Sequence, residues 1–153
     1  MKKVASYLKL NAVELNLESI DKKGVLKELF GKLSSAEEII DEELCFKDLM
    51  DREKLGSTGI GKGVAVPHAK TKGVKELIMT LGISKNPISY DSIDNEDVNI
   101  FFMFLSPVEL SQEYLIILAR ISRFIRDDVF RKQLLNAKTS NEIFEILEAK
   151  EIQ

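Results

Sequence analysis

The sequence predicts an α/β fold, with an α+β arrangement as the alternative, in which helices pack on both sides of a β-sheet. Two features lead to this prediction. Residues 98–105 form a near-continuous apolar run that ends shortly before Pro107, which is typical of a central strand covered on both faces. From Ser111 onward the apolar residues recur every three to four positions, which indicates amphipathic helices.

Length and composition predict a single domain that spans residues 1–153. A chain of 153 residues is long enough for one hydrophobic core and too short for two comfortable ones. Its net charge of −3 gives no basic surplus, so we expect no nucleic-acid partner. The longest apolar run, residues 100–105, is far too short to span a membrane, and we see no targeting signal. The only cysteine, Cys45, fits a reducing compartment, so we expect a cytoplasmic protein.

The N-terminal third contains one predicted strand and two predicted helices. Apolar and polar residues alternate over residues 13–17, which is the period of a half-buried strand. Asp21 is suited to cap a helix whose apolar residues share one face. Ser35 and Glu38 have the spacing of a capping box, which predicts a second helix that runs from there toward Arg52.

The rest of the chain is predicted to form strands and then helices. Residues 77–83 have the composition of a buried strand, and Pro87 predicts a break before a short extended piece at residues 88–90. An acidic, exposed connection at residues 91–97 leads to the central strand. Three helices come after it, one from Ser111, one from about Asp127 to Asn136, and one after a capping box of Thr139 and Glu142.

A glycine-rich stretch connects the second predicted helix to the strands. Four of the eight glycines fall within residues 56–63, and residues 56–62 have the GxxxxGK spacing of a phosphate-binding P-loop. We reject a nucleotide site, because Gly63 stands where that motif needs Ser or Thr. In addition, a helix precedes the loop and a strand comes after it, which reverses the order that a P-loop requires. The glycines are instead expected to permit a tight turn with positive φ angles.

His68 is the only histidine and lies directly after the run Val-Ala-Val-Pro. We expect it at the end of a strand, where side chains reach the rim of the sheet. Pro67 restricts the backbone next to it, so the imidazole should be held stiffly. Without further context, a lone histidine is more often a packed core residue than a functional one. One histidine and one cysteine do not make a metal site, and none is predicted.

These residues together resemble a known family. Arg52-Glu53, the run Gly-Ser-Thr-Gly-Ile-Gly at 56–61 and the run Val-Ala-Val-Pro-His-Ala at 64–69 look like the signature of the fructose/mannitol-type enzyme IIA domain of the bacterial phosphotransferase system, including its nitrogen-regulatory branch. The resemblance implies a single-domain mixed β-sheet sandwiched by helices. It also implies a phosphoryl-transfer protein with a phosphohistidine intermediate, rather than a conventional turnover enzyme, and no cofactor.

The resemblance further implies roles for individual residues. His68 would accept a phosphoryl group from a histidine phosphocarrier protein similar to HPr, and would pass it to a IIB component or hold it as a regulatory signal. Arg52 would stabilise the phosphate. Ser57 and Thr58 would contact it through their hydroxyls, although capping or turn bonding is an equal alternative for both. Exposed apolar residues around the site, Ile60 and Val108, would form a small contact patch for a carrier.

Tyr114 departs from the pattern of the sugar-transporting members, which carry a second active-site histidine at this position. A phenol with a pKa of ~10 can donate a hydrogen bond but offers no positive charge at neutral pH. Two hypotheses therefore stay open. The chain is a phosphocarrier, or it is a non-phosphorylated regulatory module that kept the fold and binds a partner protein. The sequence does not distinguish a sugar route from nitrogen regulation.

Overall fold

A central strand with partners on both edges organises the molecule. The computed structural model describes residues 2–152, and within them a five-stranded mixed sheet is covered by helices. The strands are β1 (Gly59–Gly61), β2 (Val64–Ala65), β3 (His68–Lys70), β4 (Ile78–Ile88) and β5 (Val98–Ser106). The helices are α1 (Lys22–Leu33), α2 (Glu42–Leu55), α3 (Ser111–Phe124), α4 (Asp128–Asn136) and α5 (Ser140–Glu151), and short 3-10 turns lie at Val4–Tyr7, Leu10–Ala12 and Val108–Leu110.

The two edges of β5 are used differently. One edge pairs antiparallel with β4 along its length, from Ile78 opposite Leu105 to Ile88 opposite Val98. The other edge pairs in parallel first with β2 and then with β3, so these two short strands are halves of one interrupted strand. The antiparallel β1 completes the sheet beyond β2. The sheet is therefore mixed, as the family resemblance implied.

The apolar run in β5 is explained by two cores, one on each face of the sheet. Alternate residues of a strand point to opposite faces. Phe102 and Phe104 join a core with α3, α4 and α5, whereas Phe101 and Met103 join a core with α1 and α2. All four side chains are fully buried, and burial of each contributes about 1.5–3 kcal/mol. The predicted central strand with layers on both sides is confirmed.

Most helix starts agree with the sequence prediction. The Asp21 side chain accepts a hydrogen bond from the Gly24 amide and caps α1, and Thr139 caps α5 in the same way through the Glu142 amide. Helices α3 and α4 also lie where the 3.6-residue period placed them. Within residues 2–152, no helix combines the length and apolar character that crossing a membrane requires.

Three local predictions are wrong. Residues 13–17 do not form a strand. Glu14 makes an isolated bridge to Gly82 of β4 and the Leu17 amide bonds the Ile83 carbonyl oxygen, but the Asn16 amide between them bonds the Glu14 carboxylate instead of β4. The second helix does not begin at Ser35 but at Glu42, where the Asp41 side chain accepts from the Leu44 amide.

Pro87 does not break β4, which continues to Ile88. The register with β5 shifts between Ile83 and Ile88, and the irregular, exposed segment between them needs no ladder hydrogen bond from a proline nitrogen.

Candidate functional site

His68 lies at the interruption between β2 and β3. It is the first residue of β3 and not the end of a strand, because Val66 and Pro67 leave the ladder before pairing with β5 resumes at Phe104. Its ring stacks on Phe104 with the centroids 5.2 Å apart and meets the Tyr114 ring edge-on at 5.3 Å. The residue is only 4% exposed. Aromatic packing therefore fixes the orientation of the imidazole.

The hydrogen bond of His68 decides which ring nitrogen is free. Its Nδ1 lies 2.5 Å from the carbonyl oxygen of Val66, which can only accept, so Nδ1 carries the proton and Nε2 carries the lone pair. Burial lowers the pKa of His68 below its ordinary value of 6.5, and the positive charge of Arg52 acts in the same direction. The imidazole is therefore neutral near pH 7, with a nucleophilic Nε2.

Arg52 brings a positive charge to this histidine from the last turn of α2. Its Nη1 donates to the Gly56 carbonyl oxygen at 3.0 Å, which turns the side chain back over the glycine-rich stretch. Arg52 and Tyr114 also line the same surface groove. Burial raises the pKa of Tyr114, against the opposing effect of Arg52, so the phenol is neutral at physiological pH. The structure thus brings His68 and Tyr114 into contact with Arg52 nearby, and the roles assigned to the three residues stay predictions.

The glycine-rich stretch forms a tight hairpin between β1 and β2. Lys62 and Gly63 have φ angles of 59° and 78°, the positive values of a type I′ turn, which confirms the predicted turn. The half-buried Ile60 packs against the core, so the expected patch there is reduced to Val108, which is 44% exposed. This hairpin leads the chain directly into the interruption that presents His68.

The hydroxyls of Ser57 and Thr58 are hydrogen-bonded within the protein. The Ser57 hydroxyl donates to the Tyr90 carbonyl oxygen at 2.9 Å and accepts from the Gly59 amide at 3.1 Å. Thr58 is 3% exposed, and its hydroxyl donates to Glu53 Oε1 at 2.6 Å. These bonds hold the entry to the hairpin in place. Phosphate contact by either hydroxyl stays a prediction.

Glu53 is a buried hub to which sequence reasoning assigned no role. Its carboxylate accepts from the Thr58 amide at 2.8 Å, from the Thr58 hydroxyl, and from the Tyr90 hydroxyl at 3.1 Å. It also pairs with Lys22 Nζ at 2.9 Å, while the same ammonium lies 4.6 Å from the Tyr90 ring centroid. The hub ties α1, α2 and the glycine-rich stretch together directly beside Arg52. The Arg-Glu pair in the sequence was the only signal for it.

A surface groove of about 590 Å³ runs past the site. Its wall carries three basic side chains, Arg52, Lys70 and Lys72, and two acidic ones, Asp48 and Asp51. Tyr114 and the exposed Val108 also line it. Lys70, which sequence reasoning did not single out, places its ammonium 4.9 Å from the Tyr114 ring centroid. Within residues 2–152, no group of three His, Cys, Asp or Glu side chains could hold a metal ion. The groove thus has a mixed lining in which basic side chains outnumber the acidic ones by one.

Fold and site together define a class of protein. It is a mixed-sheet α/β protein in which a neutral, buried histidine with a free Nε2 lies beside an arginine on the wall of a surface groove.

Comparison with known proteins names the family. Residues 6–150 match the family described as "Phosphoenolpyruvate-dependent sugar phosphotransferase system, EIIA 2". The chain belongs to this family.

Two relatives in sequence show how differently the same unit is used. The chain is 34% identical over 146 residues to a "Nitrogen regulatory protein" of Bradyrhizobium diazoefficiens, covering 94% of this chain and 91% of that one. It is 32% identical over 145 residues to the "PTS system fructose-specific EIIABC component" of Bacillus subtilis. That match covers 95% of this chain but only 23% of the Bacillus protein, which is much longer.

Solved structures agree with the architecture. The nitrogen regulatory protein IIA-Ntr from Neisseria meningitidis superposes with a TM-score of 0.87 at 29% identity, covering 94% of this chain and 98% of that one. An Escherichia coli complex of enzyme IIA-mannitol with phosphorylated enzyme IIB-mannitol contains a chain that superposes with a TM-score of 0.78. At 16% identity, with 93% of this chain and 99% of that chain covered, the second likeness concerns the fold alone.

Proposed function

We propose that this protein is a phosphocarrier that accepts a phosphoryl group on His68 from a histidine phosphocarrier protein similar to HPr. The observation that carries the proposal is the bond from Nδ1 to the Val66 carbonyl oxygen, which leaves the Nε2 lone pair free in a neutral ring. A bond between Nε2 and phosphorus forms as the nitrogen–phosphorus bond of the donor breaks, and the donor imidazole keeps that electron pair. The proton stays on Nδ1 during the attack, where it is hydrogen-bonded to the Val66 carbonyl oxygen.

Arg52 is proposed to stabilise the transferred group. Phosphoryl transfer depends mainly on positioning and on donors for the equatorial oxygens, and a guanidinium matches those oxygens with two parallel N–H groups. Arg52 already lies close enough to lower the pKa of His68, and only its bond to Gly56 has to loosen. Ser57 and Thr58 support the transfer first by holding the hairpin. Direct contact would require their hydroxyls to exchange the bonds they make now.

The names of the relatives suggest two uses of the phosphorylated state. Sugar transport would require a IIB component as acceptor, in line with the complex of the mannitol proteins, whereas nitrogen regulation would use the phosphorylated state as a signal. Either partner has to reach His68 across the groove. The exposed Val108 and Leu55 line that groove and offer apolar contact of the kind that a transient complex uses.

The proposal is tested by incubation with phosphoenolpyruvate, enzyme I and an HPr-like carrier, followed by intact mass spectrometry. We expect an acid-labile gain of one phosphoryl group in the wild type and none in His68→Ala. Because His68 is the only histidine, an acid-labile gain that persists in this variant would contradict the assignment. Circular dichroism of His68→Ala should show the folded spectrum, and loss of that spectrum would indicate that the histidine serves packing instead.

A second function is favoured by one observation, the tyrosine at position 114. A tyrosine stands where the family resemblance implies a second imidazole in sugar-transporting members. Its phenol is neutral, because burial raises its pKa. If the site does not accept a phosphoryl group, the protein would regulate a partner by binding alone. Absence of any phosphoryl gain with several carriers would favour this regulatory function over the phosphocarrier.

A further inference from the structure

Lys70 lies at the proposed phosphorylation site without an assigned role. It is two residues beyond His68 on β3, and alternate residues of a strand point to the same face. Its ammonium lies 4.9 Å from the centroid of the Tyr114 ring, and the same ring lies 5.3 Å from that of His68. The side chain is exposed and lines the groove with Arg52.

The ammonium of Lys70 is available to a new anion. In the part of the chain that the structure describes, Lys70 forms no ion pair with a carboxylate, and its contact is the face of the Tyr114 ring. A cation–π contact at an exposed site is worth about 0.5–1 kcal/mol, so the ammonium can leave the ring at small cost.

The charge balance of the site points to a need for this cation. A phosphoryl group adds about −1.5 to −2 charges at neutral pH. Arg52 provides one positive charge, and the neutral Tyr114 provides none. Burial keeps His68 itself from supplying a charge before transfer, since its pKa is lowered. A second cation beside Arg52 would strengthen the attraction for the phosphoryl oxygens, and Lys70 is the groove lysine whose ammonium lies against the Tyr114 ring.

We propose that Lys70 supplies this second positive charge, by moving its ammonium from the Tyr114 ring to an oxygen of the phosphoryl group on His68. This role rests on the proposed function. Lys70 then stabilises the phosphorylated state, which the transfer equilibrium measures. Lys85 of β4 is also an exposed lysine but does not line the groove, so it provides the control.

The test is the equilibrium constant of phosphoryl exchange between this protein and an HPr-like carrier, measured by intact mass after mixing known amounts of phosphorylated carrier and protein. We expect Lys70→Gln to shift the equilibrium about three- to tenfold toward the carrier, as loss of a charge-assisted contact with phosphate implies. Lys70→Arg should keep the constant close to its wild-type value, and Lys85→Gln should leave the constant unchanged. The shift should shrink at high ionic strength.

An equilibrium constant separates this role from docking. A lysine that only attracts an acidic partner surface changes the forward and reverse rates by the same factor and leaves the constant as it was. An unchanged constant in Lys70→Gln, with or without slower exchange, would therefore overturn the proposal while the phosphocarrier function stands. If the wild type takes up no phosphoryl group at all, both proposals fall together.

Discussion

Replacing Glu53 by alanine should destabilise the protein strongly, although Glu53 does not touch the reacting atoms. The carboxylate is 7% exposed and accepts three hydrogen bonds, from the amide and hydroxyl of Thr58 and from the hydroxyl of Tyr90. Burial and the charge of Glu53 raise the pKa of Tyr90, so this phenol is protonated and donates. Glu53→Ala removes the acceptor of all three bonds and leaves Lys22 without its ion-pair partner, while the hydroxyls of Thr58 and Tyr90 keep only their 3.2 Å contact with each other.

The magnitude is set by the buried groups that lose a partner. A buried donor left without an acceptor costs about 1–3 kcal/mol, and breaking a buried ion pair from one side costs about 3–5 kcal/mol. The two costs are not simply additive, because both arise from loss of the same carboxylate. Lys22 also keeps part of its hydration, because its side chain is 25% exposed. We expect a loss of about 3–5 kcal/mol in the free energy of unfolding. Glu53→Gln should lose only about 1–2 kcal/mol, because a suitably oriented amide can still bond Thr58, Tyr90 and Lys22.

Urea denaturation followed by circular dichroism measures both variants, with the m-value as a check that unfolding stays two-state. Glu43→Ala is the matched control, since Glu43 is an exposed glutamate on the same helix and should change the free energy by less than about 0.5 kcal/mol. The reasoning is refuted if the free energy of unfolding of Glu53→Ala lies within about 0.5 kcal/mol of that control, which is the scale that surface substitutions show.

Two further predictions concern pH and packing. Because burial lowers the folded-state pKa of His68 below 6.5, the unfolded chain binds a proton first as pH falls. The contribution of His68 to stability should therefore be constant above about pH 6.5 and decline below it. Urea midpoints measured between pH 5 and pH 8 should fall less with decreasing pH in His68→Gln than in the wild type. An equal fall in both proteins would show that the histidine is not desolvated. Gly73→Ala should cost about 1–3 kcal/mol, since the added Cβ would lie 2.6 Å from the Asp41 carbonyl oxygen and 2.7 Å from the Cys45 sulfur. Gly31→Ala, where nothing lies within 4 Å in helix α1, should instead stabilise by about 0.5–1 kcal/mol, and a loss there would contradict the packing account.

The fold could be predicted well where the pattern is local. The apolar run in β5 and the 3.6-residue period of α3 and α4 each record which side of a single element faces a core. Capping works in the same way, since Asp21 and Thr139 bond amides only three residues away. The wrong predictions also have a physical cause. The alternation at residues 13–17 is real, but no ladder continues from the Glu14–Gly82 bridge, because the Asn16 amide bonds the Glu14 carboxylate instead of β4.

The sequence by itself determined the kind of site, because Arg52, the hairpin glycines and His68 lie in a run short enough to be recognised as a motif. Only the tertiary structure decided how the site is arranged. The proton on Nδ1, the neutrality of the buried ring and the contact of Lys70 with Tyr114 depend on burial and on α3 packing against β3, elements some forty residues apart in the chain. The hub at Glu53 likewise joins Lys22 of α1 to Tyr90, which lies just after β4. Desolvation and hydrogen bonding act between neighbours in space, and such neighbours leave no periodic signal in the sequence.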